Sequence, residues 1–211
     1  QFEYYLKAAR AALDHAIATT PAPKVYEYNF AKSTESKWHR KTKPSNRLGK
    51  DQEFIARIKN DYPETGEFRI RIRAKGEFNE DTPSPLPRMR VMVGYRPDTE
   101  VYRKTLAEID ITEKGWHDYE FSGRMENFPL PVKGQGKYPG LVISVTNPYG
   151  GHPVIESLEF KGPIFESWPP AHHRQILHDT ISRSGLLEPD YVKEVIERFL
   201  PRAWRRPITD D

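Results

Sequence analysis

Three histidines, His172, His173 and His178, form the only dense histidine group in the chain. A helix brings two ligands to one face at a spacing of three or four. His173 and His178 are five apart and His172 and His178 six, so the group reads as a solvated helix N-terminus. His15, His39, His117 and His152 are scattered singly. The chain has no cysteine, which excludes disulfides, thiolate zinc, a cysteine nucleophile and covalent haem attachment within it. It also lacks an HExxH pair, a phosphate-binding glycine loop and a nucleophile elbow. No acid–base or nucleophile–base set can be named. The residue types point to a binding or scaffold module, not an enzyme.

Aromatic side chains are the stronger lead. A sugar ring lays its C–H face on Trp or Tyr while neighbouring polar groups read its hydroxyls. Candidates in loops or on polar faces are Trp38, Tyr95, Tyr102, Trp116, Tyr138 and Tyr149, with Asn147 and His152 bounding a polar, Gly-rich loop around Tyr149. Trp116 alternates in step with Asp118 and Glu120, which is unusual for a core residue. A second lead is a basic surface: Arg69, Arg71, Arg73, Arg88 and Arg90 would share one face if their two strands were adjacent. That face would attract an anionic polymer unless Glu67, Glu108, Asp110, Asp118 and Glu120 pair with it. Glu67, Asp110, Asp118 and Glu156 are also candidate oxygen donors for a rim calcium, without diagnostic spacing.

The elements that must position these residues are mostly strands. From Glu67, Phe68, Ile70, Ile72 and Ala74 alternate with Arg69, Arg71, Arg73 and Lys75, a period of two that only a half-buried strand explains. Met89, Val91, Val93 and Tyr95 repeat the pattern after a Pro-rich connection from Asp81 to Pro87. Further strands are predicted at Thr105–Ile111, Trp116–Phe121, Leu141–Val145 and Val154–Phe160. Alternation fails near Glu156, which predicts a bulge or fraying there. Ahead of them, Phe2 to Ala18 carries apolar residues at helical spacing, and Ala31 to Leu48 reads as an exposed loop or short helix around Trp38. After Gly162-Pro163, helices are predicted from Ala171 to Ser184 and from about Glu188 to Leu200, before a charged Arg202–Pro207 segment.

Many short strands without intervening helices predict a mainly β fold, an antiparallel jelly-roll-type β-sandwich over residues 24–163. An N-terminal helical lead-in, 1–23, and a C-terminal helical segment, 164–211, flank it. The expected core is Phe68, Ile70, Ile72, Val91, Val93, Ile109, Ile111, Tyr119, Phe121, Leu141, Ile143, Val145, Leu158 and Phe160. Composition agrees. At 211 residues, 36% hydrophobic and 12% aromatic, the chain can bury a core despite a mean hydropathy of −0.78. A net charge of +3 is too slight to imply nucleic acid, and no apolar run approaches the roughly 20 residues of a membrane span. The start at Gln1, already in helical pattern by Phe2, reads as a piece excised from a longer polypeptide.

The order of motifs is similar to one known family. The N-terminal helix with Tyr5, Leu6, Ala8 and Ala9, the strand ending Val91, Val93 and Gly94, and the Arg124–Pro131 and Val154–Pro163 segments fit it. So do Trp168-Pro169-Pro170 and the closing Arg202-Ala203-Trp204-Arg205-Arg206-Pro207. Together they resemble the middle region of large planctomycete-type multidomain c-type cytochrome proteins. The resemblance implies export to the periplasm or cell exterior, haem in another domain of the parent polypeptide, and neighbouring domains as partners. It transfers no ligand motif, and the Trp-Pro-Pro and Arg-Ala-Trp-Arg-Arg-Pro elements read as domain-joining structure. The sandwich is similar in layout to carbohydrate-binding modules, where a jelly roll often holds a structural calcium. The expectation is a non-catalytic module for polysaccharide, or else a ligand-free interdomain scaffold or protein-interaction domain.

Overall fold

The computed structural model describes residues 2–35, 43–78, 86–96, 98, 100–132, 136–177, 193 and 195–197. The chain divides into two units: Lys24–Ile164, and Gln1–Pro23 with Phe165–Asp211. The first is an antiparallel β-sandwich of jelly-roll type. Its strands are β1 (Tyr26–Phe30), β2 (Lys43–Pro44), β3 (Gln52–Ile58), β4 (Glu67–Glu77), β5 (Arg88–Tyr95), β6 (Tyr102–Asp110), β7 (His117–Arg124), β8 (Leu141–Thr146) and β9 (His152–Ile164). One sheet has the order β1-β9-β4-β7 and the other β2-β3-β8-β5-β6. From β3 to β9 the chain passes repeatedly between the sheets, and every pairing is antiparallel except that of the two-residue β2 with β3.

The period-two segments form strands because each strand has one face to bury. Phe68, Ile70, Ile72 and Ala74 of β4 are fully buried, while Arg69 and Arg71 between them are exposed. Across the sandwich they meet Met89, Val91 and Val93 of β5 and Leu141, Ile143 and Val145 of β8, none of them solvent-accessible. Each such side chain withdrawn from water contributes on the order of 1.5–3 kcal/mol. Ile109, Tyr119 and Phe121, expected in the core, pack against it only half-buried, because β6 and β7 are the edge strands of their sheets. The expected irregularity near Glu156 is present: the β4–β9 register slips between Arg73↔Ser157 and Ala74↔Ile155, leaving Glu156 without a partner across the ladder.

Three strands were not foreseen: β1, the two-residue β2, which lies in the stretch read as an exposed loop or short helix, and β3. Gln52–Ile58 does not alternate because β3 is covered on both sides: Phe54, Ala56 and Ile58 enter the main core, and Ile55 with Val142 forms a second small cluster on the opposite face under Val101. A strand buried on both faces carries no period-two signal.

In the other unit, α1 spans Phe2–Ala16 and α2 spans Ala171–Ile176. His173 is 2% exposed and its Nδ1 accepts the Ala18 N–H at 2.9 Å, so the expectation of solvated histidines fails for this one: the ring is buried as the acceptor for a backbone group that would otherwise go unpaired. The Trp168 indole N–H donates to the Thr20 carbonyl at 3.2 Å and the ring packs edge-on against Phe165. α2 ends at Ile176, where Leu177 is extended; His178 and the rest of the stretch expected to be helical up to Ser184, most of the expected second helix and the Arg202–Pro207 segment lie outside the described residues.

Candidate functional site

Because the strands run antiparallel, the β6–β7 and β8–β9 loops and the start of β5 lie at the same end of the sandwich. Backbone bonds knit that end together: Ile111 N–H to Pro87 O at 2.8 Å, Gly76 N–H to Glu113 O at 2.9 Å and Leu48 N–H to Pro153 O at 2.8 Å. Asn147 is its keystone. Only 2% exposed, its amide donates to Leu48 O at 3.2 Å and Gly151 O at 2.9 Å, and its carbonyl oxygen accepts the N–H groups of Tyr149 at 3.2 Å and Arg88 at 3.4 Å. Gly151 turns the loop at φ +67°, where a Cβ would stand 2.7 Å from Pro87 Cγ. Asn147 thus holds the loop from beneath. His152 also faces inward, with Nδ1 3.3 Å from Leu48 O.

This loop presents Tyr149, which is 52% exposed and whose ring lies against the Arg88 guanidinium, 4.5 Å from the ring centroid. Arg88 is held in turn. Its Nε and Nη2 donate to the two oxygens of Asp110 at 2.5 and 3.0 Å, and its Nη1 donates to Glu108 at 3.4 Å; Glu108 also accepts from Arg90 Nε at 2.7 Å. These bonds hold the Asp110 and Glu108 carboxyls below the usual carboxylate range and push the Arg88 guanidinium up. The result is an exposed aromatic ring beside a fixed strip of donors and acceptors on the outer face of β5 and β6.

Trp116 lies at the same end but immediately precedes β7 and belongs to the other sheet. It is 38% exposed, with Lys75 Nζ 5.0 Å from its ring centroid. Tyr138 and Tyr95 lie at the opposite end. Tyr138 precedes β8 as Tyr149 follows it, so the two are separated by the six residues of β8, about 20 Å at roughly 3.3 Å per residue. The half-buried Tyr138 ring has Arg96 at 4.3 Å and Arg57 at 5.7 Å. Tyr95 stacks on Tyr102, centroids 5.3 Å apart. Trp38 lies outside the described residues.

Two expectations about charge change with the topology. The five arginines do not share a surface, because β4 and β5 belong to different sheets: Arg69, Arg71 and Arg73 line the outside of one, Arg88 and Arg90 the outside of the other. All five are paired with carboxylates, several from the expected acids and others from β9, as in Arg71–Glu159 at 2.9 Å and Arg73–Glu156 at 2.6 Å. The four candidate calcium donors do not converge either. Asp110 is on the five-stranded sheet and bound to Arg88; Glu67, Asp118 and Glu156 are on the four-stranded sheet, the last two flanking Arg73. Among the described residues no group of three His, Asp or Glu side chains gathers as a metal site.

Sequence reasoning missed a polar cluster at the outer face of β3. Arg57, 6% exposed, bonds Glu35 at 2.5 Å and the Tyr138 carbonyl at 2.9 Å; Glu53, fully buried, is paired with Arg103, which also reaches Ser144 Oγ at 2.9 Å. The available signal was the pair of charges, Glu53 and Arg57, flanking the apolar Phe54-Ile55-Ala56 run of β3.

No family model and no curated protein matches the chain. Among solved structures it is similar to the CBM22-1–GH10 modules of the N-terminal part of endo-1,4-beta-D-xylanase 10B from Clostridium thermocellum, complexed with xylohexaose. That match has 13% identity, covers 67% of this chain and 26% of the other, and has a TM-score of 0.38. The C-terminal CBM6 of LamC, a marine laminarinase from Zobellia galactanivorans, matches at 10% identity over 66% of this chain and 100% of the other, TM-score 0.36. The ligand-free CBM1 of BiXyn10A matches at 11% identity over 65% and 96%, TM-score 0.38. The chain thus spans about a quarter of the first of these proteins.

Proposed function

We propose that the Lys24–Ile164 unit is a non-catalytic polysaccharide-binding module, carried outside the cytoplasm within a larger multidomain polypeptide of the cytochrome-bearing kind its motifs resemble. The observation that carries the binding reading is Tyr149, a half-exposed residue whose backbone N–H is held by the buried Asn147 and whose ring is backed by an Arg88–Asp110–Glu108 network. A ring that is already ordered loses little freedom on stacking against a sugar, and the adjoining carboxylates and guanidinium groups accept from and donate to hydroxyls. Tyr138, about 20 Å away along β8, would contact a more distant unit of the same chain.

The test is a polysaccharide array probed with the protein and with Tyr149→Ala, Trp116→Ala and Tyr138→Ala. A stacking platform contributes on the order of 1 kcal/mol, so Tyr149→Ala should weaken binding about fivefold or more at an unchanged melting temperature. Silence across a broad array would defeat the reading in favour of an interdomain scaffold. That alternative has its own support in the Ala18–His173 and Thr20–Trp168 hydrogen bonds, which join the segments that precede and follow the sandwich in sequence into one unit.

A further inference from the structure

The Tyr149 site is built from cations whose charge is already used. Arg88, Arg90, Glu108 and Asp110 are two of each sign, so the group is formally neutral. Asp110 grips Arg88 as a fork, the geometry an incoming carboxylate or sulfate would itself need, so an anionic ligand would have to displace it. Glu108 lies between both arginines and would repel that anion. A sugar hydroxyl needs no displacement. Three of the five Arg88 N–H groups are engaged by these carboxylates, and each carboxylate oxygen retains lone pairs that accept from O–H. We propose that Glu108 and Asp110 are the selectivity residues of this site, committing it to uncharged glycans by occupying the guanidinium groups that an acidic glycan would bind. This rests on the reading of Tyr149 as the glycan platform.

The experiment compares wild-type protein with Glu108→Gln/Asp110→Asn on one neutral polysaccharide, a xylan without acidic branches, and two anionic ones, polygalacturonate and heparin, at low and physiological salt. The wild type should bind the neutral glycan with little salt dependence and the anionic ones no better. The double variant should gain roughly tenfold or more for the anionic glycans, with a gain that fades as salt rises. Adding Arg88→Met should abolish that gain, separating it from a general increase in positive charge. A melting curve confirms that each variant is folded; if the double variant unfolds, Asp110→Asn alone carries the comparison. Wild-type protein that prefers the anionic glycans, or a folded variant that gains nothing for them, would overturn the selectivity proposal while leaving glycan binding standing. Wild-type protein that binds no glycan of either class, with a variant that still gains heparin affinity through Arg88, would sink the glycan reading. It would leave only the masking of the guanidinium groups.

Discussion

The two sheets turn outward faces of similar composition in opposite directions, and the structure uses them differently. On the four-stranded sheet, Arg69, Arg71 and Arg73 pair across strands with Glu120, Glu159, Asp118 and Glu156, each side chain about half open to water. On the five-stranded sheet, the outward residues of β3 and β8 are covered. Glu53, Ile55, Val142 and Ser144 are fully buried, and Arg57 nearly so. The strand chemistry of arginine beside acid is common to both. What differs is whether loop residues such as Val101, Glu35 and Tyr138 lie over the face. A charged side chain in a strand therefore marks a residue that avoids the core, not one that reaches solvent.

The largest effect that would sharpen this contrast comes from removing one arginine on each face. Arg103→Met takes a cation from the fully buried Glu53 and should cost about 3 kcal/mol or more, read as a lower midpoint in urea. Arg71→Met breaks an ion pair between side chains 46% and 37% exposed and should cost under about 1 kcal/mol. Equal losses would mean the covered face is not functionally buried. Next in size is Asn147→Ala. It removes the common partner of four backbone groups and should cost about 1–3 kcal/mol. It should also weaken glycan binding with Tyr149 intact, since the loop that carries the ring would no longer be held. A destabilised variant that binds as well as wild type would show that the loop needs no such support.

The same contrast explains what was legible in the sequence. β4 was readable because one face is in the core and the other in water, so Ile70 and Arg71 declare themselves. β3 was not, since loop coverage removes the polar half of its pattern and leaves Glu53 and Arg57 as the only outward markers. Tyr149 was legible as an exposed loop aromatic. Its partner Arg88 was assigned to a shared surface with Arg71 because periodicity gives the face of each strand but not which strands are neighbours. Asn147 was legible as a loop residue of consequence, yet its role is internal. Only the convergence of Leu48, Arg88 and Gly151 on its amide, from segments up to 99 residues away, reveals that.

The smallest expected effect is the pH dependence that the Tyr149 strip imposes. Hydrogen bonds from Arg90 and Arg88 hold the Glu108 and Asp110 carboxyls below their ordinary values in the folded protein. With a folded pKa below the unfolded one, the unfolded chain takes up protons first as pH falls. Their contribution is therefore fully present above the ordinary carboxylate range and lost as pH drops through about 4 and below. Both carboxylates are solvent-accessible, so the contribution is modest and salt should diminish it. Melting temperatures from pH 7 to pH 3 should fall on the acid side, and Glu108→Gln/Asp110→Asn should flatten part of that limb while starting from a slightly lower plateau. If the double variant reproduced the wild-type curve, the arginine–carboxylate strip would contribute nothing to the folded state, and the fixed geometry ascribed to Arg88 beneath Tyr149 would have to come from elsewhere.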